Sequence, residues 1–177
     1  MPRLFTALEI PRDVAGELSM LRGGLPGARW IDPENYHLTL RFIGDVDDVI
    51  AHEISELLGR VRRHGFEIVL GGLDQFGGRK PRAVFAAANA SPALLELQAE
   101  HERLLQRMGL PPESRKYTPH VTLARLRDVS THEVAEYLAS HGYFRSPAFA
   151  IPRFVLFSSR ASTGGGPYVV EAAYPLE

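Results

Sequence analysis

The chain has 177 residues, is 45% hydrophobic, and carries 20 Lys and Arg against 21 Asp and Glu. It is therefore sized for one domain or two small lobes sharing a core, and its formal charge of −1 is not that of a protein coating long nucleic acid; a small anion or an RNA end held by a local basic patch still fits. The lack of cysteine excludes a disulfide framework, a thiol nucleophile and Cys-bound zinc, while no apolar run nears the roughly 20 residues of a membrane span and the N-terminus lacks a signal-peptide core, so a cytoplasmic monomer is expected.

Residues 3–9 read as a strand. Pro11 opens a helix over 12–22 with Val14, Leu18 and Leu21 on one face, stopped by Gly23-Gly24. Residues 28–31 form a short strand, broken at Asp32-Pro33, and a longer strand runs over 36–43 to Gly44-Asp45. A second helix spans 46–62 with Ile50, Ile54, Leu57, Leu58 and Val61 as its stripe. Strands follow at 66–71 and 82–88. The loop between them, 74–82, combines Phe76, two glycines and three basic residues; it reads either as a solvated connection or as an RNA-contacting flap. Ser91-Pro92 starts a third helix to 108, with His101 on its apolar face as a structural histidine. A strand spans 117–125, and Thr131 caps a fourth helix over 131–140. Strands at 143–150, 153–160 and 167–173 complete the chain, with a glycine-rich hairpin loop at 161–167.

Two of these strands share a pattern. Both His37-Leu38-Thr39-Leu40 and His120-Val121-Thr122-Leu123 read His-x-Thr-Leu. Strand alternation puts His37 and Thr39 on one face, with Tyr36, Leu38, Leu40 and Phe42 turned to the core; His120 and Thr122 lie likewise in front of Val121 and Leu123. One copy is explained by a half-exposed strand. Two copies, in halves of similar plan, put two imidazoles and two hydroxyls at a common surface. That set suits phosphodiester cleavage: one neutral ring takes a proton from the attacking oxygen and one protonated ring gives a proton to the leaving oxygen. Each threonine can hold a phosphate oxygen in place.

His52, His64, His132 and His141 read as surface residues. No His-x-His or His-Glu-x-x-His spacing occurs, so no metal and no cofactor are expected; no Gly-x-Ser-x-Gly elbow or P-loop occurs either. Arg41 shares the His37 face by strict alternation. Arg125 falls out of phase with His120 and needs a bulge, or a place beyond the strand end, to reach a phosphate. Tyr117 and Phe5 either pack against a base or fill the core.

The motifs, together with Arg3-Leu4-Phe5, Trp30 with Pro33, Gly72-Leu73-Asp74-Gln75-Phe76-Gly77, Pro81-Arg82, Tyr117-Thr118-Pro119-His120, Ser158 and Tyr174-Pro175-Leu176, resemble the 2H phosphoesterases. The chain is most similar to their RNA 2′,3′-cyclic phosphodiesterases, also described as 2′-5′ RNA ligases. Thr6 departs, standing where that family often has a second aromatic. The resemblance implies one α+β, LigT-like domain over 1–177: bilobal and pseudo-twofold, with two antiparallel sheets facing a central cleft and helices outside. It implies hydrolysis of cyclic phosphate ends, tRNA fragments among them, to 2′-phosphomonoesters. His37 would act as acid and His120 as base, with Thr39, Thr122 and Arg125 on the phosphate. Arg41 is the second choice for that contact. The alternatives are 2′-5′ ligation of RNA halves, turnover of a small nucleotide or ADP-ribose cyclic phosphate, or an RNA-end binding module without catalysis.

Overall fold

The computed structural model describes residues 2–159 and 166–177. In chain order the elements are β1 (Arg3–Glu9), α1 (Arg12–Ser19), β2 (Ala28–Trp30), a 3-10 turn (Pro33–Asn35), β3 (His37–Asp45), α2 (Asp48–Leu58), β4 (Phe66–Ile68), β5 (Leu70–Phe76), β6 (Ala83–Ala88), α3 (Pro92–Arg107), β7 (His120–Leu126), α4 (Thr131–His141), β8 (Phe149–Ile151), β9 (Arg153–Ser158) and β10 (Val169–Pro175).

Local capping fixes where the helices start. The Asp47 carboxylate accepts the Ile50 amide ahead of α2, and the Ser91 hydroxyl accepts the Leu94 amide ahead of α3. Ser130, not Thr131, caps α4, in a box with Glu133. The helices α1 and α2 are shorter than their apolar stripes suggest, because Leu21 and Val61 pack on the core from the turns that follow. Phe76 belongs to strand β5, so the loop before β6 begins only at Gly77. Residues 143–148 are not a strand; among them only Arg145 makes an isolated bridge, to Gly71. The expected hairpin loop at 161–167 lies mostly outside the described residues.

Strand pairing is antiparallel throughout the α+β fold. The main sheet runs β10-β9-β1-β3-β7-β6-β5 with β2 alongside β7, and β4 pairs separately with β8. The two motif strands meet at its centre, where β3 and β7 are joined through Leu38 and Val121 alone. One half-sheet, β10-β9-β1-β3, thus hinges on the other, β7-β6-β5, and each motif strand lines the junction.

The halves in space are not the halves in sequence. The helix α3 lies behind β1 and β3, where buried His101 bonds Thr6 at 2.9 Å and Glu102 pairs with Arg41. The Tyr174 hydroxyl on β10 donates to Ser55 of α2 at 2.8 Å, which places α2 on the same side. On the other half, Leu73 of β5 donates its amide to Gly142 at the end of α4, and Tyr137 of α4 donates its hydroxyl to Leu21 just after α1. Each lobe therefore borrows strands or helices from both ends of the chain.

One irregularity decides the site. Both motif strands bulge at the leucine after the threonine. In β3, Ala7 pairs with Thr39 and Thr6 with Arg41, leaving Leu40 extra; in β7, Phe85 pairs with Thr122 and Val84 with Ala124, leaving Leu123 extra. A bulge turns the side chains that follow it to the opposite face, until a second bulge at Ile43 turns β3 back. The burial shows it as two consecutive buried residues, Leu40-Arg41 and Leu123-Ala124.

Candidate active site

The junction opens into a cleft of about 620 Å³, lined by His37, Thr39, His120, Thr122 and Arg125 among others. The two histidines are held in the same way. His37 Nδ1 lies 2.9 Å from the carbonyl of Asn35, and His120 Nδ1 lies 2.6 Å from the carbonyl of Thr118. A carbonyl only accepts, so each Nδ1 carries hydrogen and each neutral ring keeps Nε2 as its acceptor. The positions are i−2 in both cases, so the device is built from the strand entrance itself.

Phenylalanines of the two neighbouring strands flank each ring. Around His37 stand Phe5 of β1 at 5.0 Å and Phe157 of β9 at 6.0 Å, with Tyr168 edge-on at 5.0 Å. Around His120 stand Phe85 of β6 at 5.2 Å and Phe76 of β5 at 4.9 Å. These apolar walls dry the rings. Burial first, against the opposing pull of the Asn35 bond, and then the charges of His120 and Arg125 bring the His37 pKa down to about 4. His120 is lowered too, first by burial and then by Arg125, against the bond to Thr118. Both rings are therefore mostly neutral near pH 7.

A family model described as LigT like Phosphoesterase matches residues 8–86 and again 84–168, one His-x-Thr motif in each stretch. The chain belongs to this family. It is a phosphoesterase, and the double match mirrors the paired bulges and paired histidine supports. The RNA 2′,3′-cyclic phosphodiesterase of Aeropyrum pernix is 39% identical over 121 residues, 64% of this chain and 68% of that protein. The protein of the same name from Thermotoga maritima is 30% identical over 176 residues, covering 95% of this chain and 92% of its own. Among solved structures, Escherichia coli LigT complexed with 3′-AMP superposes with a TM-score of 0.80 at 26% identity, covering 99% of each chain.

In this LigT-like phosphoesterase the bulges invert what strict alternation gives for both arginines, and β7 has the bulge that Arg125 needs. Arg125, out of phase by alternation, is carried onto the cleft face, where it is exposed, and its charge acts on both histidines. Arg41, in phase by alternation, is turned behind the sheet and is only 7% exposed. Its Nε donates to Glu102 at 2.5 Å, one terminal nitrogen to the Phe42 carbonyl, and the other to the Pro111 carbonyl at 2.6 Å. Each of its three guanidinium nitrogens is thus held by the fold, although the residue also borders the cleft. Phe42, expected in the core, is 47% exposed on the cleft side for the same reason.

The remaining expected residues are wall and brace. Phe5 is 5% exposed and packs on His37, so it fills the core. The Tyr117 hydroxyl donates to the Thr39 carbonyl at 2.9 Å and ties the strap before β7 onto β3; burial raises its pKa strongly. Thr6 faces α3, so no residue at that position reaches a base from this strand. Phe76 stacks on Phe85 at 4.1 Å under the Arg82 guanidinium. The sequence reading did not single out Phe85, Phe157 or Tyr168. Their signal was weak: Phe85 and Phe157 sit in strands apolar on both faces, where alternation does not pick a side.

Proposed function

We propose that this protein hydrolyses 2′,3′-cyclic phosphates at RNA ends to 2′-phosphomonoesters, using its own two histidines and no metal. The observation that carries this reading is the matched pair: two Nδ1-anchored imidazoles, each with a threonine two residues on, lining one cleft beside Arg125. The relatives' names supply the substrate class.

In the reaction, a water oxygen attacks phosphorus while one Nε2 takes its proton. The bond from phosphorus to O3′ breaks, and the other ring, protonated, gives its proton to O3′. Thr39 and Thr122 donate to the non-bridging oxygens, and Arg125 offsets their charge. Following the resemblance, His120 activates water and His37 protonates O3′. In the free protein His37 is the harder ring to charge, so the bound phosphate must supply the field that protonates it.

The test is a metal-free assay in EDTA on a short RNA ending in 2′,3′-cyclic phosphate. His37→Ala and His120→Ala should each cut turnover about 10²–10⁴-fold without loss of fold. A substrate with sulfur at the 3′ leaving position, which departs without protonation, should rescue His37→Ala but not His120→Ala. Near-normal turnover in both single variants would overturn the mechanism, and rescue of His120→Ala instead would exchange the roles.

A further inference from the structure

The two lobes of the cleft are alike up to the bulge and differ just beyond it. The residue that the bulge turns into the cleft is Arg125 on β7 and Phe42 on β3. One side of the site thus offers a cation, the other an exposed aromatic ring. Among the described aromatic residues that line the cleft, Phe42 is the most open to solvent, at 47%. Phe5 and Phe76 are committed to histidine and phenylalanine neighbours, and Tyr117 has its hydroxyl on Thr39. The Phe42 ring lies over Gly44, a glycine at φ +96° where an added Cβ would come to 3.7 Å from the ring.

A polypeptide strap runs past this ring. It is tied at one end to β3 by Arg41, which bonds both the Phe42 and Pro111 carbonyls, and to α3 by Glu102, which accepts the Glu113 amide at 2.7 Å. At the other end the Tyr117 hydroxyl holds Thr39. Between these anchors lie Arg115, paired with Glu113 at 3.1 Å, and Lys116, which is exposed, lines the cleft and pairs with no carboxylate among the described residues. An open aromatic face and an unpaired ammonium therefore flank the same stretch of β3, beside the histidines.

We propose that Phe42 and Lys116 form a nucleotide subsite, with the terminal nucleobase stacked on Phe42 and Lys116 on the phosphate to its 5′ side. This rests on the cyclic-phosphate reading above and sharpens it: the preferred substrate is an oligonucleotide end, not a mononucleoside cyclic phosphate lacking a 5′ phosphate. Stacking on a ring face is tolerant of base identity, so the subsite selects length rather than sequence.

The experiment compares adenosine 2′,3′-cyclic phosphate with a dinucleotide ending in the same group. It is run for wild type, Phe42→Leu, Phe42→Trp and Lys116→Gln, each checked for an unchanged melting temperature. Phe42→Leu should raise KM on both substrates, lowering kcat/KM about 5- to 150-fold, and Phe42→Trp should restore it. Lys116→Gln should lower the dinucleotide-to-mononucleotide ratio of kcat/KM about tenfold and flatten the salt dependence for the dinucleotide. In parallel, calorimetric titration with the 2′-phosphorylated dinucleotide reads binding without turnover. Absence of wild-type turnover with binding intact, and weakened in the variants, would remove the catalytic reading and keep the subsite. Phe42→Leu within twofold of wild type in both assays, or an unchanged ratio in Lys116→Gln, would overturn the subsite.

Discussion

Replacing Glu102 with alanine isolates the ion pair that anchors the back of the site. Arg41 is 7% exposed and Glu102 18%, so the variant leaves a guanidinium buried without its carboxylate. Breaking a buried pair from one side costs about 3–5 kcal/mol. Arg41 keeps the Phe42 and Pro111 carbonyls, and Glu102 reaches some solvent, so the low end, about 3 kcal/mol, is expected. For a chain of this size that corresponds to a melting temperature lower by about 6–12 °C, read by calorimetry. The double variant Arg41→Met/Glu102→Leu should recover at least half of the loss, because neither charge then remains buried. The pH dependence checks the same pair. Burial raises the Glu102 pKa, but the bonds from Arg41, the Glu113 amide and Gln106 outweigh it, and the net direction is down from the ordinary 4.5. A depressed carboxylate contributes fully above that value and loses its contribution as pH falls through the folded-state pKa. The gap between wild type and Glu102→Ala should therefore narrow in acid. A shift below about 2 °C at neutral pH, or a gap that widens in acid, would refute the reasoning.

Other outcomes follow from the same structure. The active form needs one ring charged and one neutral, and both pKa values lie below 6.5, so kcat/KM should rise as pH is lowered from about 8 towards about 5. Arg125→Gln removes a cation that depresses both rings and should move that profile to higher pH; a profile that stays put would show that Arg125 does not act on them. His101, buried against Phe154 and Thr6, is held down to about 3 by burial first and Arg63 second. It is neutral in the fold but takes a proton when unfolded, so stability is complete above about 6.5 and falls by about 2 kcal/mol by about pH 5. Urea titrations of His101→Gln should show a flatter slope over that range, and an equal slope would count against it. Ser130→Ala removes the α4 capping box and should cost about 1 kcal/mol, a melting shift of about 2–4 °C.

Much of the site was legible in the primary structure because its signal is local. His37 with Thr39, and His120 with Thr122, share a face by the two-residue period of a strand, a property of the backbone that needs no partner. Ser91-Pro92 sets the start of α3 for the same reason. Phe85 and Phe157 went unseen because strands buried on both faces carry no alternation to read.

The sequence by itself determined the two motif strands with their histidine–threonine pairs, the approximate helix positions and the α+β class, all of which follow from side-chain periodicity and capping chemistry over a few neighbouring residues. Only the tertiary structure decided which arginine is exposed on the cleft side, that Phe42 is exposed, and which helix backs which lobe. The reason is the bulge: one extra residue at Leu40 and at Leu123 is set by pairing with β1 and β6, strands remote in sequence, and it inverts the facing of Arg41 and Phe42 and of Ala124 and Arg125. Alternation read along a single strand has no access to that register.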